Sequence, residues 1–192
     1  LAGAVLGAAV SHDNRGKGAM IGAALGGATG GGYGYYRDKQ EEKLRQDLAG
    51  SGVDVQRQGD NIKLIMPGNI TFRTGSADIQ PDFYETLNSV SSSLREYPDS
   101  TIRVTGHTDS TGDRMRNQVL SEQRASSVSR YIQSQGVSSA RLQSVGYGDR
   151  YPLSDNGTEN GRQQNRRVEL EVISTQPPQS QQQGQQQGQQ RY

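Results

Sequence analysis

The sequence has no cysteine at any of its 192 positions. This absence excludes structural disulfides, thiolate metal sites and cysteine nucleophiles, and it is compatible with either an oxidising or a reducing compartment. Concentrated positive charge is also missing, because 21 Lys and Arg residues stand against 20 Asp and Glu residues and form no basic run. Proteins that bind nucleic acid carry a concentrated Lys/Arg patch, so the composition argues against nucleic acid as a partner.

Apolar residues are scarce, at 30% of the chain, and this composition predicts one modest globular domain with unusual flanks. The predicted segments are a glycine-zipper segment at 1–36, a charged helical connector at 37–50, a globular domain at 51–173 and a disordered Gln-rich tail at 174–192. Because the chain opens at Leu1 and not at Met, we expect an upstream signal segment to precede it.

The first segment is rich in glycine with a four-residue period. After Gly3 and Gly7, glycine recurs at every fourth position from residue 18 to residue 34. Each glycine costs a helix in water about 1 kcal/mol relative to alanine, whereas small residues at this spacing let membrane helices approach closely. We therefore expect a glycine-zipper helical segment that self-associates or lies in a bilayer. Each apolar arm is shorter than the roughly 20 residues of a spanning helix, so we expect the two arms to form a hairpin in or on a bilayer. A flexible Gly/Ala linker is the alternative.

The middle of the chain alternates between strand and helix patterns. Apolar alternation predicts five strands, at 53–58, 62–66, 101–105, 142–145 and 167–173. Apolar residues at helical spacing predict one helix between Pro81 and Pro98 and another through residues 120–132 that Gly136 closes. Residues 156–165 are predicted to form a polar loop or a short helix. This order implies a crossover sheet layered against helices.

One charged residue lies on a predicted buried helix face. At about 100° per residue, Arg124 falls on the same stripe as Leu120 and Val128. A buried guanidinium requires an anion, and the nearest candidate is Asp109, in the loop after the 101–105 strand. An Asp109–Arg124 salt bridge is one interpretation. The other is a site in which Asp109 binds the ammonium and Arg124 the carboxylate of an amino acid zwitterion.

Three sequence blocks carry a family resemblance. The run GHTDSTGDRMRNQVLSEQRASSVSRYI at 106–132, VGYG at 145–148 and NRRVEL at 165–170 resemble the OmpA-like C-terminal domain. That domain is the peptidoglycan-binding module of Gram-negative outer-membrane proteins and lipoproteins. The resemblance implies an α/β (α+β) two-layer sandwich whose mixed sheet has the β-α-β-α-β order of the family, preceded here by the glycine-zipper helical segment.

The resemblance also implies a ligand site. In the family, the Asp of the HTD loop and the Arg fifteen residues later grip the zwitterionic end of meso-diaminopimelate in the peptidoglycan stem peptide. These positions are Asp109 and Arg124 here. The supporting positions of the family correspond to Thr111, Asn117 and Arg166. One departure is Arg73, which follows Phe72 where family members commonly carry an acidic residue, so ligand contacts from that loop are in question.

The implied function is non-covalent binding of peptidoglycan, which tethers a Gram-negative outer membrane to the cell wall through a domain in the periplasm. The combination of zipper and domain resembles the YiaD-type outer-membrane lipoproteins, in which a mature N-terminal cysteine carries lipid. The expected partners are the stem peptide, the outer membrane through the N-terminal segment, and a second copy of the chain, with no cofactor and no metal. The alternative function is a self-associating glycine-zipper membrane protein whose OmpA-like domain is only an anchor.

An enzyme is the less favoured interpretation. His107 and Asp109 form an H-x-D pair, and residues two apart on an extended backbone project to the same face. The sequence offers no third catalytic member at a recognisable spacing. We therefore expect His107 to pack beside the binding loop, and we expect no catalytic activity.

Overall fold

The computed structural model describes residues 32–175. The chain divides into two compact units, one of residues 1–39 and 178–192 and the other spanning Gln40–Pro177. Of the smaller unit only residues 32–39 are described, so the predictions for most of the zipper segment and for nearly all of the Gln-rich tail lie outside the described residues. Between residues 32 and 175, no helix combines the length and the apolar character needed to cross a membrane.

The elements follow the order that the sequence predicts. They are α1 (Gly32–Asp47), β1 (Asp54–Gln58), β2 (Asn61–Pro67), α2 (Gly68–Thr71), α3 (Phe83–Glu96), β3 (Ser100–His107), α4 (Arg114–Ser134), a 3₁₀ turn (Ser139–Arg141), β4 (Leu142–Gly146), α5 (Glu159–Asn165) and β5 (Arg167–Ser174). The predicted α/β class, with its β-α-β-α-β order, is confirmed. The helix α2 and the 3₁₀ turn were not predicted, because an element of one turn is too short to show a helical period.

The five strands form one sheet in the order β1-β2-β5-β3-β4. All neighbouring pairs are antiparallel except β3 and β4, which are parallel. A parallel pair requires a crossover connection, and α4 provides it. The helices α3 and α4 cover one face, where apolar side chains of strands and helices form the core. Its fully buried members include Ile62, Leu64, Met66, Leu87, Leu94, Ile102, Val128, Ile132 and Leu170.

Two paired glycines bring α4 unusually close to the sheet. Gly106 in β3 pairs with Gly146 in β4, and both lie beneath Ser121 and Glu122 of the helix. A Cβ atom on Gly106 would lie 2.0 Å from the Ser121 carbonyl oxygen, and one on Gly146 would lie 2.4 Å from the Glu122 backbone nitrogen. Only glycine fits at either position, and this contact fixes the height of α4 above the end of β3.

We expect Gly106→Ala to lower the free energy of unfolding by at least about 2 kcal/mol, because its methyl group would overlap a helix carbonyl that cannot rotate away. Urea unfolding followed by circular dichroism measures the change. Gly34→Ala is the matched control, since no atom of the described residues lies within 4 Å of the added Cβ atom there. Equal stability of the two variants would contradict the close-packing argument.

The other face of the sheet is polar and is crossed by ion pairs between side chains of neighbouring strands. The pairs are Arg103–Glu171 at 2.7 Å and Lys63–Glu169 at 3.0 Å, and Arg167 adds a third at 2.7 Å to Glu169 on the same strand. Opposite charges at neighbouring positions stabilise strand pairing. This face is therefore held by charge pairing rather than by apolar packing.

His107 is buried on this polar face, at 4% exposure. Its Nε2 lies 3.2 Å from the Thr105 hydroxyl, and its Nδ1 has no hydrogen-bond partner in the described part of the chain. Burial is the main cause that lowers the pKa of His107 to about 4; the charges of Arg167 and Lys63 act in the same direction, and the charge of Glu169 opposes them. The imidazole is consequently neutral near pH 7.

The depressed pKa of His107 predicts that the fold loses stability as the pH falls from 6.5 to 4. In this window the unfolded chain takes up a proton that the folded chain does not, and the difference is worth up to about 3 kcal/mol. As the pH falls across this window, the unfolding free energy of His107→Gln should therefore decrease less steeply than that of the wild type; carboxylates with lowered pKa values, such as Asp109, account for the remaining decrease. His12 is the only other histidine in the sequence, so His12→Gln should keep the wild-type slope. An unchanged slope in His107→Gln would show that other groups carry the pH dependence.

Candidate functional site

The loop between β3 and α4 carries Asp109 and is held by side-chain amides. The Asn117 amide donates hydrogen bonds to the carbonyl oxygens of Asp109, at 3.3 Å, and Thr111, at 2.9 Å. Elsewhere in the loop, the Ser110 N–H donates to the side-chain oxygen of Asn156 at 3.2 Å. Asn117 thus ties the first turns of α4 to the loop, and its amide nitrogen is used for support.

The Asp109 carboxylate has most of its hydrogen-bonding capacity filled. Its Oδ1 accepts the Thr111 backbone N–H at 2.8 Å and also the Thr111 hydroxyl, while its Oδ2 accepts from Arg166 at 2.6 Å. Burial raises the pKa of Asp109, but the hydrogen bonds from Thr111 and Arg166 lower it by more, so the net shift is downward. A carboxylate has about four lone-pair positions, so about one remains for a further donor.

Arg166 lies between two carboxylates. One terminal nitrogen contacts Asp109, and the other contacts Glu159 in α5 at 2.7 Å. The hydrogen bond with Glu159 raises the pKa of Arg166, and the bond with Asp109 raises it further. Because α5 carries Glu159 and ends next to Arg166, the short helix orients this guanidinium toward the loop.

Arg124 is buried, and no acidic side chain among the described residues forms an ion pair with it. The residue is 6% exposed, its Nε donates to the Ser76 carbonyl at 2.9 Å, and its guanidinium carbon lies 5.1 Å from the centre of the Phe72 ring. Burial lowers the pKa of Arg124; the charge of Arg166 lowers it further, and Asp109 partly offsets this. Asp109 is therefore close enough to influence Arg124, yet no ion pair to Arg124 forms within residues 32–175.

The two terminal nitrogens of Arg124 remain open to a ligand. Within the described residues they donate no hydrogen bond, and they are not among the polar atoms sealed from solvent without a partner. A buried guanidinium that keeps an accessible edge can offer two parallel N–H groups to a carboxylate. The arrangement provides a cationic surface next to the anionic loop.

The structure tests one of the two interpretations of Asp109 and Arg124, the internal salt bridge. An internal salt bridge between them was one prediction, and it is wrong, because Asp109 pairs with Arg166 instead. The helical stripe places Arg124 correctly among buried residues. It misplaces Leu120, which is only half-buried, because the buried row runs through Ser121 and Ala125 where the helix meets the glycines.

Three contributors to the site were not predicted from the sequence. Ser76 contributes a backbone carbonyl, which no side-chain pattern can reveal, and Phe72 contributes its ring face to Arg124. Glu159 lies seven residues before Arg166, two helical turns away, and this spacing was a usable signal. The exposed side chain of Arg73 belongs to the loop that presents Ser76, in which the Arg73 N–H donates to the Asp78 carbonyl at 3.1 Å.

His107 and Asp109 do not form a shared catalytic unit. The imidazole contacts Thr105 on the polar face of the sheet, while the carboxylate contacts Thr111 and Arg166. In the described part of the chain, no group of three His, Cys, Asp or Glu residues is arranged to hold a metal ion.

Comparison with known proteins adds independent information. The OmpA family model matches residues 71–166, and a glycine-zipper model matches residues 1–41. The chain is 50% identical over 171 residues to "Probable lipoprotein YiaD" of Escherichia coli, an alignment that covers 88% of this chain and 78% of that protein.

Two further similarities concern the globular domain. The peptidoglycan-binding protein ArfA of Mycobacterium tuberculosis is 39% identical over 111 residues, which cover 58% of this chain and 34% of ArfA. The fold is similar to the cell wall anchor of the type VI secretion system of Pseudomonas aeruginosa, at 27% identity and a TM-score of 0.65, covering 72% of this chain and 99% of that structure. With these matches and the fold described above, this protein belongs to the OmpA family.

Proposed function

We propose that the domain binds peptidoglycan by gripping the free amino acid end of diaminopimelate in the stem peptide. The observation that carries the proposal is Arg124, a buried guanidinium with an accessible edge and no acidic partner within the described residues. A buried charge without a partner is costly. A ligand carboxylate would supply the missing anion.

Asp109 supplies the opposite charge for the same ligand. Thr111 and Arg166 occupy about three of its lone-pair positions, so an ammonium group would take the remaining one. Arg166 keeps the carboxylate ionised and oriented, and Glu159 holds Arg166 in place. In this proposal Asp109 and Arg124 contact the ligand, while Thr111, Asn117 and Arg166 position the loop.

The relatives support peptidoglycan as the polymer that carries this amino acid. The similar protein of M. tuberculosis is a peptidoglycan-binding protein, and the similar fold of P. aeruginosa is a cell wall anchor. The polar side chains of the site hold the Asp109 carboxylate and its loop in place. Such a site fits binding rather than cleavage. The histidine next to the loop contacts neither of the proposed ligand-binding side chains.

Tethering follows from many weak sites. A hydrogen bond to a charged group contributes about 1.5–3 kcal/mol, so one zwitterion supports only modest affinity. Many copies on one membrane facing many stem peptides gain effective concentration. We propose that the N-terminal segment holds the protein at the outer membrane, with the domain in the periplasm. The similarity to a lipoprotein and the glycine-zipper match at residues 1–41 support this placement.

Asp109→Asn and Arg124→Gln should each lower affinity for meso-diaminopimelate by at least tenfold, because each leaves one ligand charge without its partner (about 2–5 kcal/mol). Titration followed by amide NMR shifts gives the affinity, and the same spectra report whether the variant is folded. Asp82→Asn and Arg114→Gln make the same charge changes at exposed positions and should bind normally.

Pull-down of purified peptidoglycan tests the same variants on the polymer. Intact peptidoglycan should sediment with the wild-type protein and with both controls, and only weakly with Asp109→Asn or Arg124→Gln. Release of soluble fragments by the wild type would instead indicate hydrolysis. Normal pull-down by the folded site variants would refute the proposed site.

Self-association through the glycine zipper is a second candidate function, favoured by the match at residues 1–41. If it operates, the full chain should form oligomers in detergent that disappear when Gly22 and Gly26 are replaced by Leu, because close helix packing requires small residues. Size-exclusion chromatography with light scattering measures the oligomer. Diaminopimelate binding should be unchanged in this variant, and oligomers that persist would argue against the zipper.

A further inference from the structure

Two separate contacts join the loop of Asp109 to the segment that contains α5. The Asp109 carboxylate pairs with Arg166, which directly follows the helix, at 2.6 Å. The next residue of the loop, Ser110, donates its backbone N–H at 3.2 Å to the side-chain oxygen of Asn156, which precedes the helix. The loop is therefore held from both ends of α5.

Arg162, within α5, connects these two points of support. One terminal nitrogen donates to the Asn156 carbonyl oxygen at 3.0 Å, and the other contacts Glu159 at 2.8 Å. Glu159 also contacts Arg166, at 2.7 Å. The contacts close into a ring that runs through Asp109, Arg166, Glu159, Arg162, Asn156 and Ser110.

The local structure of α5 brings the charged members of the ring together. Glu159, Arg162 and Arg166 are spaced by three and four residues, which places them on one side of the helix. The Thr158 hydroxyl accepts the Gly161 N–H at 3.0 Å and fixes the residue at which the helix begins. The position of Arg162 therefore follows from the cap and the spacing.

Asn156 is held from inside the domain. Its side-chain oxygen accepts a hydrogen bond from the Asn165 amide at 2.9 Å, in addition to the one from Ser110. Asn165 is fully buried, and its own oxygen accepts two backbone N–H groups of the preceding loop. The carbonyl oxygen that Arg162 contacts is thus in a defined position.

Two arginines share Glu159. Its Oε1 contacts Arg166 and its Oε2 contacts Arg162. The hydrogen bond from Arg166 lowers the pKa of Glu159, and the one from Arg162 lowers it further. The ring contains two carboxylates and two guanidinium groups, so its charges balance. Without the charge of Arg162, both carboxylates would compete for Arg166, and this guanidinium would turn toward Glu159 and away from Asp109.

We infer that Arg162 is a positioning residue, which holds the Asp109 loop in the geometry that receives the ammonium group of the ligand. It acts through the ring, because within the described residues it contacts neither Asp109 nor Arg124. The inference rests on the proposed function and adds to the site a residue that is not in direct contact with the ligand.

The first test replaces Arg162 by Gln in the full chain and measures the affinity for meso-diaminopimelate by NMR titration. The affinity should fall by about two- to fivefold, since partly exposed ion pairs contribute modestly, and the same spectra report whether the variant is folded. Arg103→Gln is the matched control, because Arg103 also pairs with one glutamate, Glu171, but on the polar face of the sheet. This control should bind normally.

A second measurement separates positioning from a general loss of stability. NMR of the Asp109 carboxyl carbon gives the pKa of this group in the free protein. Burial raises that pKa, while the hydrogen bonds from Thr111 and Arg166 lower it by more. Arg162→Gln should raise the pKa of Asp109, because Arg166 turns away from it. Glu159→Gln should lower the same pKa, because Arg166 is then left to Asp109 alone.

The two measurements also distinguish failure of the inference from failure of the proposed function. A wild-type affinity or a wild-type Asp109 pKa in folded Arg162→Gln would overturn the inference. Shifts of the Asp109 pKa in the same direction in Arg162→Gln and Glu159→Gln would overturn it as well. If the wild-type protein did not bind diaminopimelate, the proposed function would fall, while the pKa values would still show whether the ring supports Asp109.

Discussion

The arrangement of this domain depends on the contact between α4 and two glycines. With no side chain on Gly106 or Gly146, the helix backbone at Ser121 comes close to the sheet, and Arg124, one turn later, is carried into the buried layer beside the loop of Asp109. A larger residue at either glycine would lift the helix and move its arginine away from that loop. The close contact in the core thus determines the geometry of the site.

The second determinant is which arginine pairs with Asp109. Arg166, held by Glu159, takes the carboxylate, and Arg124 is left with a backbone carbonyl and an aromatic face. Had Asp109 and Arg124 neutralised each other, a zwitterion would have had to break a buried ion pair in order to bind. Arg166 keeps the Asp109 carboxylate ionised and its loop ordered, and Arg124 remains available.

Local pattern was enough to predict the strands, the long helices and the burial of Arg124, because each depends on spacing within a few turns of chain. The pairing of Asp109 with Arg166 joins residues that are 57 positions apart, and it depends on β3 and β5 being neighbours in the sheet. The Ser76 carbonyl belongs to the backbone, so the pattern of side chains does not reveal its role. Long-range pairing and backbone acceptors are therefore the parts of the site that spacing alone could not supply.

The strands beneath the site also have a mechanical consequence. Asp109 follows β3 and Arg166 precedes β5, and these two strands are central neighbours, joined from Ser100–Ser174 to His107–Arg167. Tension on a ligand bound there would be transmitted to two interior strands and shared by the hydrogen bonds of a long antiparallel ladder. If the site were on an edge strand, the hydrogen bonds of that strand could break one after another. On the ligand side, a load would therefore enter two interior strands of the sheet, whereas the N-terminal side of the domain joins the sheet through the edge strand β1.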